Sequence, residues 1–429
     1  MTPPLQIRYS PGAVERANTM NRTPWLWSIA FAAALMLAAP NMALAADARA
    51  IHERILTLDT HMDTPINFGR PGWDIMDEHS VQTDLSQVDY PRMVKGGLDG
   101  GFFAIFTPQG PRTAAAFASA REAALKRADE IRAMVARHHD VFELATHADD
   151  AERIVKSGKR VVFMSIENSY PLGMDVAALK TFYDLGVRMA GPVHFTNNEF
   201  ADSATDPKGP EWHGLSPLGK QLIAEANRLG SILDASHASD DSFDQMLALS
   251  STPIILSHSS ARAVFNHPRN IDDARMKKLG AAGGVVQINS YSDYLINTPA
   301  NPERENAMRA LNRKFGPFRS LAGEKLKAYM AERHAIEAQY PIPRASIGDV
   351  VAHVVHALRL VGPDHVGIGL DWDGGGGVIG MDDVAAIPEI SKRLLAAGYS
   401  EQDLAKIWSG NILRVMRMVE AKAKEQARQ

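Results

Sequence analysis

Residues 231–258 read Ser-Ile-Leu-Asp-Ala-Ser-His-Ala-Ser-Asp-Asp-Ser-Phe-Asp-Gln-Met-Leu-Ala-Leu-Ser-Ser-Thr-Pro-Ile-Ile-Leu-Ser-His. The apolar run at Ile232 to Ala235 leads straight to His237. Ser239-Asp240 is a helix-start signal, and a helical pattern follows from Asp240 to Leu249. A second apolar run, Pro253 to Leu256, then leads to His258. The segment is strand, helix, strand, and each strand carries a histidine at the same end. Both runs are continuous rather than alternating, as strands buried on both faces require.

Working outward, the same alternation spans the chain. Further β-rich runs lie at Ile55 to Asp59, Gly100 to Phe106, Arg160 to Ile166, Val187 to Val193, Gly284 to Ile288 and His365 to Leu370. Helical patterns lie between them, at Arg112 to Arg137, Pro217 to Leu229, Ile347 to Leu360 and Ile387 to Ala397. A last helix is expected from Glu401 to Lys424, on the outside of the fold. Eight strands alternating with helices predict an α/β fold, a (β/α)8 TIM-type barrel. A doubly wound open sheet is the alternative, but no G-x-G-x-x-G follows the first strand. One segment breaks the repeat. Thr298 to Arg344, between strands seven and eight, is dense in charge and carries five prolines, at 299, 302, 317, 341 and 343. It reads as a charged helical insertion, over the active face or at a subunit contact.

Composition narrows the chemistry. The 429 residues hold 46 Lys+Arg against 50 Asp+Glu, a formal charge of −4, with 45% hydrophobic residues. That balance describes a globular chain and offers no basic surface for nucleic acid. There is no cysteine, which removes disulfides, thiolate metal sites and thiol nucleophiles. Any metal must sit on Asp, Glu and the 15 histidines.

The N-terminus reads as an address. Trp25 to Ala39 is apolar and uncharged, Arg22 precedes it, and Ala43-Leu44-Ala45 is a small-x-small cleavage pattern. Residues 1–45 are thus a secretory signal peptide, with Met20 as an alternative start, and residues 46–429 a single periplasmic domain. Pro40 interrupts the run before the ~20 residues a membrane span needs.

In such a barrel, reactive side chains lie at the C-terminal strand ends. Strand one runs into His61-Met62-Asp63, whose i, i+2 spacing points both side chains one way. Strand three runs into Glu167 and strand four into His194. Strands five and six deliver His237 and His258, and strand eight Asp371-Trp372-Asp373. Imidazole and carboxylate at one end of six strands form a donor set for Zn2+ or a similar divalent ion. The remaining histidines, His52 and His353 among them, read as surface or helix residues. The run Gly374 to Gly377 lacks the Lys-Ser/Thr of a phosphate loop and reads as a flexible turn.

These motifs resemble the membrane dipeptidase (renal dipeptidase) family of zinc peptidases, a branch of the amidohydrolase-like barrels. The resemblance runs from Leu58-Asp59-Thr60-His61-Met62-Asp63 to Gly410-Asn411-Ile412-Leu413-Arg414-Val415. Its most specific stretches are Ser257-His258-Ser259-Ser260-Ala261 and His365 to Gly374. It implies two Zn2+ per chain, one on His61 and Asp63, the other on His237 and His258, with Glu167 bridging. It implies that a hydroxide between the ions attacks a small dipeptide, and leaves open whether the C-terminal residue is L or D. His194 would contact the substrate and steady the tetrahedral intermediate, and Arg269 would hold the terminal carboxylate. Asp371 would be the acid/base, with Asp373 as the alternative.

The charged tail Glu420 to Gln429 departs from the family's lipid-anchor signal, so no stable membrane anchor is expected after cleavage. A homodimer stays open, without a disulfide. Two competing readings stand beside this one. The same centre could act on an N-acyl amino acid, lactone or phosphotriester, or the chain could be a periplasmic metal- or solute-binding protein.

Overall fold

Nine strands and the helices between them are described in a computed structural model that covers residues 47–428; the segment read as a signal peptide lies outside the described residues. The strands are β1 (Leu58–Met62), β2 (Gly100–Phe106), β3 (Phe142–Leu144), β4 (Arg160–Glu167), β5 (Val187–Ala190), β6 (Ile232–Leu233), β7 (Ile255–Ser259), β8 (Val285–Ile288) and β9 (Val366–Ile368). All eight expected strands are present. β3 is an addition, three residues pairing in parallel with the start of β4.

One sheet runs β1-β2-β4-β5-β6 and a second β7-β8-β9, every pairing parallel. Two single bridges join them, Asp234 to Ile255 and Met62 to Trp372. The mostly parallel sheet therefore curls round in the manner of a barrel wall, with helices packed outside. Gly100 and Gly101 allow the tight β1-β2-β4 approach, since a Cβ at either would strike the carbonyl of Val161 or Asp59. The connecting helices begin where sequence places caps. Ser216 accepts from Gly219 N ahead of Pro217–Leu229, and Ser239 accepts from Ser242 N ahead of Asp240–Leu249. Each such cap is worth about 1 kcal/mol.

The C-terminal segment corrects one expectation. The Glu401 to Lys424 helix is interrupted by a π turn at Lys406–Gly410, and a new helix, Asn411–Gln426, follows. Its apolar face does not lie on the outer wall. Ile412, Leu413, Val415, Met416 and Val419 join Leu58, Phe102, Val161, Met189, Ile232, Ile255 and Val285 in one buried cluster. Those seven partners sit at or near the starts of seven different strands, so this helix floors the barrel at its N-terminal end. Each fully buried side chain of this kind contributes about 1.5–3 kcal/mol. Asn411 Nδ2 fixes the helix start by donating to Pro363 O and Val366 O.

Between β8 and β9 the inserted segment forms two helices, Pro302–Phe315 and Gly323–Gln339, joined through a short turn at Phe318–Ser320. Leu311, Phe315, Leu321, Tyr329 and Met330 make a separate small apolar cluster there. Among the described residues no helix is long and apolar enough to cross a membrane.

Candidate active site

At the end of the barrel opposite the floor, strand ends bring seven donors to one place. β1 supplies His61 and, one residue past its end, Asp63; β4 ends in Glu167; β7 supplies His258. His194 follows β5, His237 follows β6 and Asp371 follows β9. Their ligand atoms form three overlapping groups, His61-Glu167-His258, Glu167-His194-His237 and His61-Asp63-Asp371, each within 4.8 Å.

Glu167 is the hub. Its Oε2 lies 3.5 Å from His61 Nε2, while its Oε1 faces His237 Nε2 at 2.9 Å, His258 Nε2 at 3.4 Å and His194 Nε2 at 3.6 Å. One carboxylate thus presents different oxygens to different nitrogens, the geometry a bridging ligand needs. Asp63 Oδ2 is 3.4 Å from His61 Nε2 on the first side. The Nε2 atoms of His237 and His258 stand 2.9 Å apart. His61 Nε2 and Asp63 Oδ1 are buried without a hydrogen-bond partner. Buried lone pairs turned on one another are costly unless something positive lies between them, so the donor set fits divalent ions of the zinc type.

The layer beneath sets the histidine orientation. Asp234 Oδ2 accepts from Ser257 Oγ at 2.6 Å, and that hydroxyl lies 2.8 Å from His258 Nδ1. With Ser257 donating to the carboxylate, His258 Nδ1 must donate to Ser257, which leaves the Nε2 lone pair for the cluster. Asp59 ties β1 to the end of β9 by accepting from His61 N and Leu370 N at 2.9 and 3.1 Å. Burial pushes its carboxyl up to about 7.

The electrostatics follow the same geometry. Burial works against ionised Glu167, but His61 and the other histidines outweigh it and hold the carboxyl well below its usual range. Burial raises Asp371 well above the ordinary aspartate value, with Asp63 and Glu167 adding repulsion. His194 is lowered by burial, against the pull of Glu167. Gly374 leaves room for this crowding, because a Cβ there would strike the carboxylates of Asp63 and Asp371.

These side chains open onto a cavity of about 230 Å3. A larger groove of about 1190 Å3 runs along helix Ala114–Arg137 and contains none of the seven donors. It has no chemistry of this kind, and the smaller cavity is the site.

A membrane dipeptidase family model, peptidase family M19, matches residues 45–429. The chain belongs to the membrane dipeptidase family. Dipeptidase tcpJ of Claviceps purpurea is 32% identical over 361 residues, 82% of this chain and 74% of that one. The structure of the probable dipeptidase PvdM of Pseudomonas aeruginosa superposes with a TM-score of 0.75 at 31% identity, covering 89% of this chain and 99% of PvdM. A metallo peptidase of Rhodobacter sphaeroides, liganded with a phosphinate mimic of L-Ala-D-Ala, is 26% identical with a TM-score of 0.66, over 85% and 99% of the two chains. The fold is thus that of the M19 dipeptidases, metal-dependent hydrolases on amidohydrolase-type TIM barrels.

Within this dipeptidase, Arg269 stands apart from the other candidates. Its Nη1 donates to Ser236 O, its Nη2 donates to His258 O at 3.1 Å, and Nη2 also lies 3.2 Å from His237 Nε2. It is packed behind the histidines, with its guanidinium 5.0 Å from the centroid of the Tyr294 ring. Tyr294, on the turn after β8, lines the cavity together with Tyr291 and Arg319. Sequence reading overlooked Tyr291 and Tyr294 because β8 ends in no His, Asp or Glu, and Arg319 because it lies in the insertion. The Tyr294 hydroxyl is pushed up to about 12 by burial and stays a neutral donor.

Proposed function

We propose that this dipeptidase hydrolyses the peptide bond of small dipeptides, a C-terminal D residue included, with two Zn2+ as its metal. The observation that carries the reading is Glu167, whose two oxygens face separate donor groups beside the open carboxylate of Asp371. His61 and Asp63 would hold one ion, His237 and His258 the other, and Glu167 both. Bound there, the metal supplies Lewis-acid polarisation of the scissile carbonyl and a lowered pKa for water.

The chain's own residues do the rest. Asp371, kept from its usual acidity by burial, takes a proton from the attacking water and returns it to the leaving amine. His194, neutral and on the cavity wall, donates to the developing oxyanion. Arg269 and Tyr294 form the end that receives the terminal carboxylate. The signal-like sequence of residues 1–45 supports a periplasmic location for the mature protein, released from the membrane after cleavage.

A second reading draws on Arg269, which already gives one donor of each Nη to a backbone carbonyl. It is the same centre acting on a lactone, phosphotriester or N-acyl amino acid. Metal analysis of the purified protein, combined with a screen of L-L and L-D dipeptides, separates the two. Two zinc ions per chain with dipeptide cleavage supports the first reading; metal without dipeptide cleavage removes it.

A further inference from the structure

The inserted segment between β8 and β9 places one cation in the cavity wall. Arg319 sits on the turn Phe318–Ser320 that joins the two inserted helices, and its side chain lines the cavity. The turn is held in place. Phe318 lies under the Arg70 guanidinium at 4.9 Å and packs on Tyr329 of the second inserted helix at 5.2 Å.

Two neighbouring arginines are already engaged, and Arg319 is not. Arg70 donates to Asn67 Oδ1 and Asp84 O, each at 3.1 Å, and Arg127 pairs with Glu130 at 2.7 Å. Arg319 has no hydrogen bond or ion pair among the described residues. Asp63 and Asp373 are the acids that face it, and Asp373 has both of its oxygens engaged elsewhere. Arg319 is therefore a charged fork with five donors, partly open to solvent and free to meet a ligand anion.

Its side of the cavity fixes which part of a substrate it meets. Arg319 lines the cavity with Asp63 and feels its charge, and Asp63 lies on the His61 side of Glu167. Arg269 and Tyr294 stand on the His237 and His258 side. A dipeptide whose terminal carboxylate lies at Arg269 extends its amino-terminal residue towards Arg319.

We propose that Arg319 selects substrates whose amino-terminal residue carries a carboxylate side chain, aspartyl or glutamyl dipeptides. This rests on the dipeptidase reading above. A charge-assisted, bidentate contact is among the stronger hydrogen-bonding arrangements available.

The test measures kcat/KM for Glu-Ala, Ala-Ala and Lys-Ala with the zinc-loaded full chain, for wild type, Arg319→Gln and Arg319→Glu. Wild type is expected to favour Glu-Ala over Ala-Ala, chiefly through KM. Arg319→Gln is expected to lower the Glu-Ala to Ala-Ala ratio by about tenfold or more, and Arg319→Glu to move the preference to Lys-Ala. An unchanged ratio in both variants overturns the assignment while leaving the dipeptidase reading intact. A zinc-loaded wild type that cleaves none of the three peptides overturns the dipeptidase reading, and this one with it. Unfolding midpoints of the variants, an exposed site being altered, are expected to match wild type.

Discussion

Asp371 and Asp373 stand two residues apart, both in the left-handed backbone region at φ 63° and 62°, yet their carboxylates have opposite fates. Asp373 Oδ1 accepts from Gln87 N and its Oδ2 from Thr64 Oγ1, each at 2.8 Å. The Asp371 carboxylate accepts no hydrogen bond among the described residues, and its Oδ1 stands 4.0 Å from His61 Nε2. One acid is a fastening and the other is left open to the cavity.

Asp371→Asn should therefore keep its metal and its unfolding temperature while losing turnover by about 10²–10⁴, the usual share of a general acid–base group. Asp373→Asn turns an amide N–H towards a donor and should cost about 1–3 kcal/mol of stability. Steady-state rates and thermal melts of the two variants check this. Near-normal turnover in Asp371→Asn would return the proton-transfer role to Asp373.

Ser257 links Asp234 to His258 Nδ1. Ser257→Ala frees the imidazole tautomer and should weaken zinc binding by about 10–100-fold. Competition with a chromophoric chelator measures the affinity, and an unaltered value would show that the relay does not act on the histidine.

Stripping metal with a chelator should abolish dipeptide hydrolysis, and added zinc should restore it. Zinc should also raise the melting temperature, since a ligand at about a hundred times its Kd adds about 2.7 kcal/mol. Activity that survives chelation, with no metal left on analysis, is the result that removes the metal from the reaction.

Arg269→Ala leaves Ser236 O and His258 O without their buried donor, so it should lower stability by about 1–3 kcal/mol as well as weaken binding. The substrate role is isolated by comparing free and C-terminally amidated dipeptides. A loss confined to the free acids supports the clamp, and equal losses on both refute it.

Glu199 is buried with neither carboxylate oxygen hydrogen-bonded, Arg112 Nε stands 4.0 Å from its Oε2, and burial outweighs that charge and pushes the carboxyl from 4.5 to about 7. Because the folded value is the raised one, this group's contribution is full below about pH 4.5 and is lost as pH climbs through about 7. Glu199→Gln should thus be the more stable protein at pH 8, by about 2 kcal/mol, and the advantage should vanish near pH 4. Denaturant melts at the two pH values decide it, and a variant less stable than wild type at pH 8 contradicts the account.

The barrel was legible because strands buried on both faces spell continuous apolar runs, and because a reactive residue closes six of the eight. Val161 to Ile166 followed by Glu167 shows both signals in one stretch. The three-residue β3 has too little pattern to stand out from the helix before it. The floor helix was misplaced because its apolar stripe, Ile412 to Val419, states that a face is buried but not against what. Tyr294 and Arg319 come from the turn after β8 and from the insertion, where no strand-end rule operates, so only three-dimensional proximity brings them in. His52 and His353 are both helix residues and both fully buried, held by Ser391 Oγ at 2.7 Å and by Ala261 N at 3.0 Å. A lone histidine on an amphipathic helix gives no sign of which side it faces.

With the apolar face of the helix at Ile412 to Val419 packed on the strand starts, that end of the barrel is core, and the cavity lined by His194 lies at the strand ends. Substitutions at the first end therefore bear on stability, and substitutions at the second on chemistry.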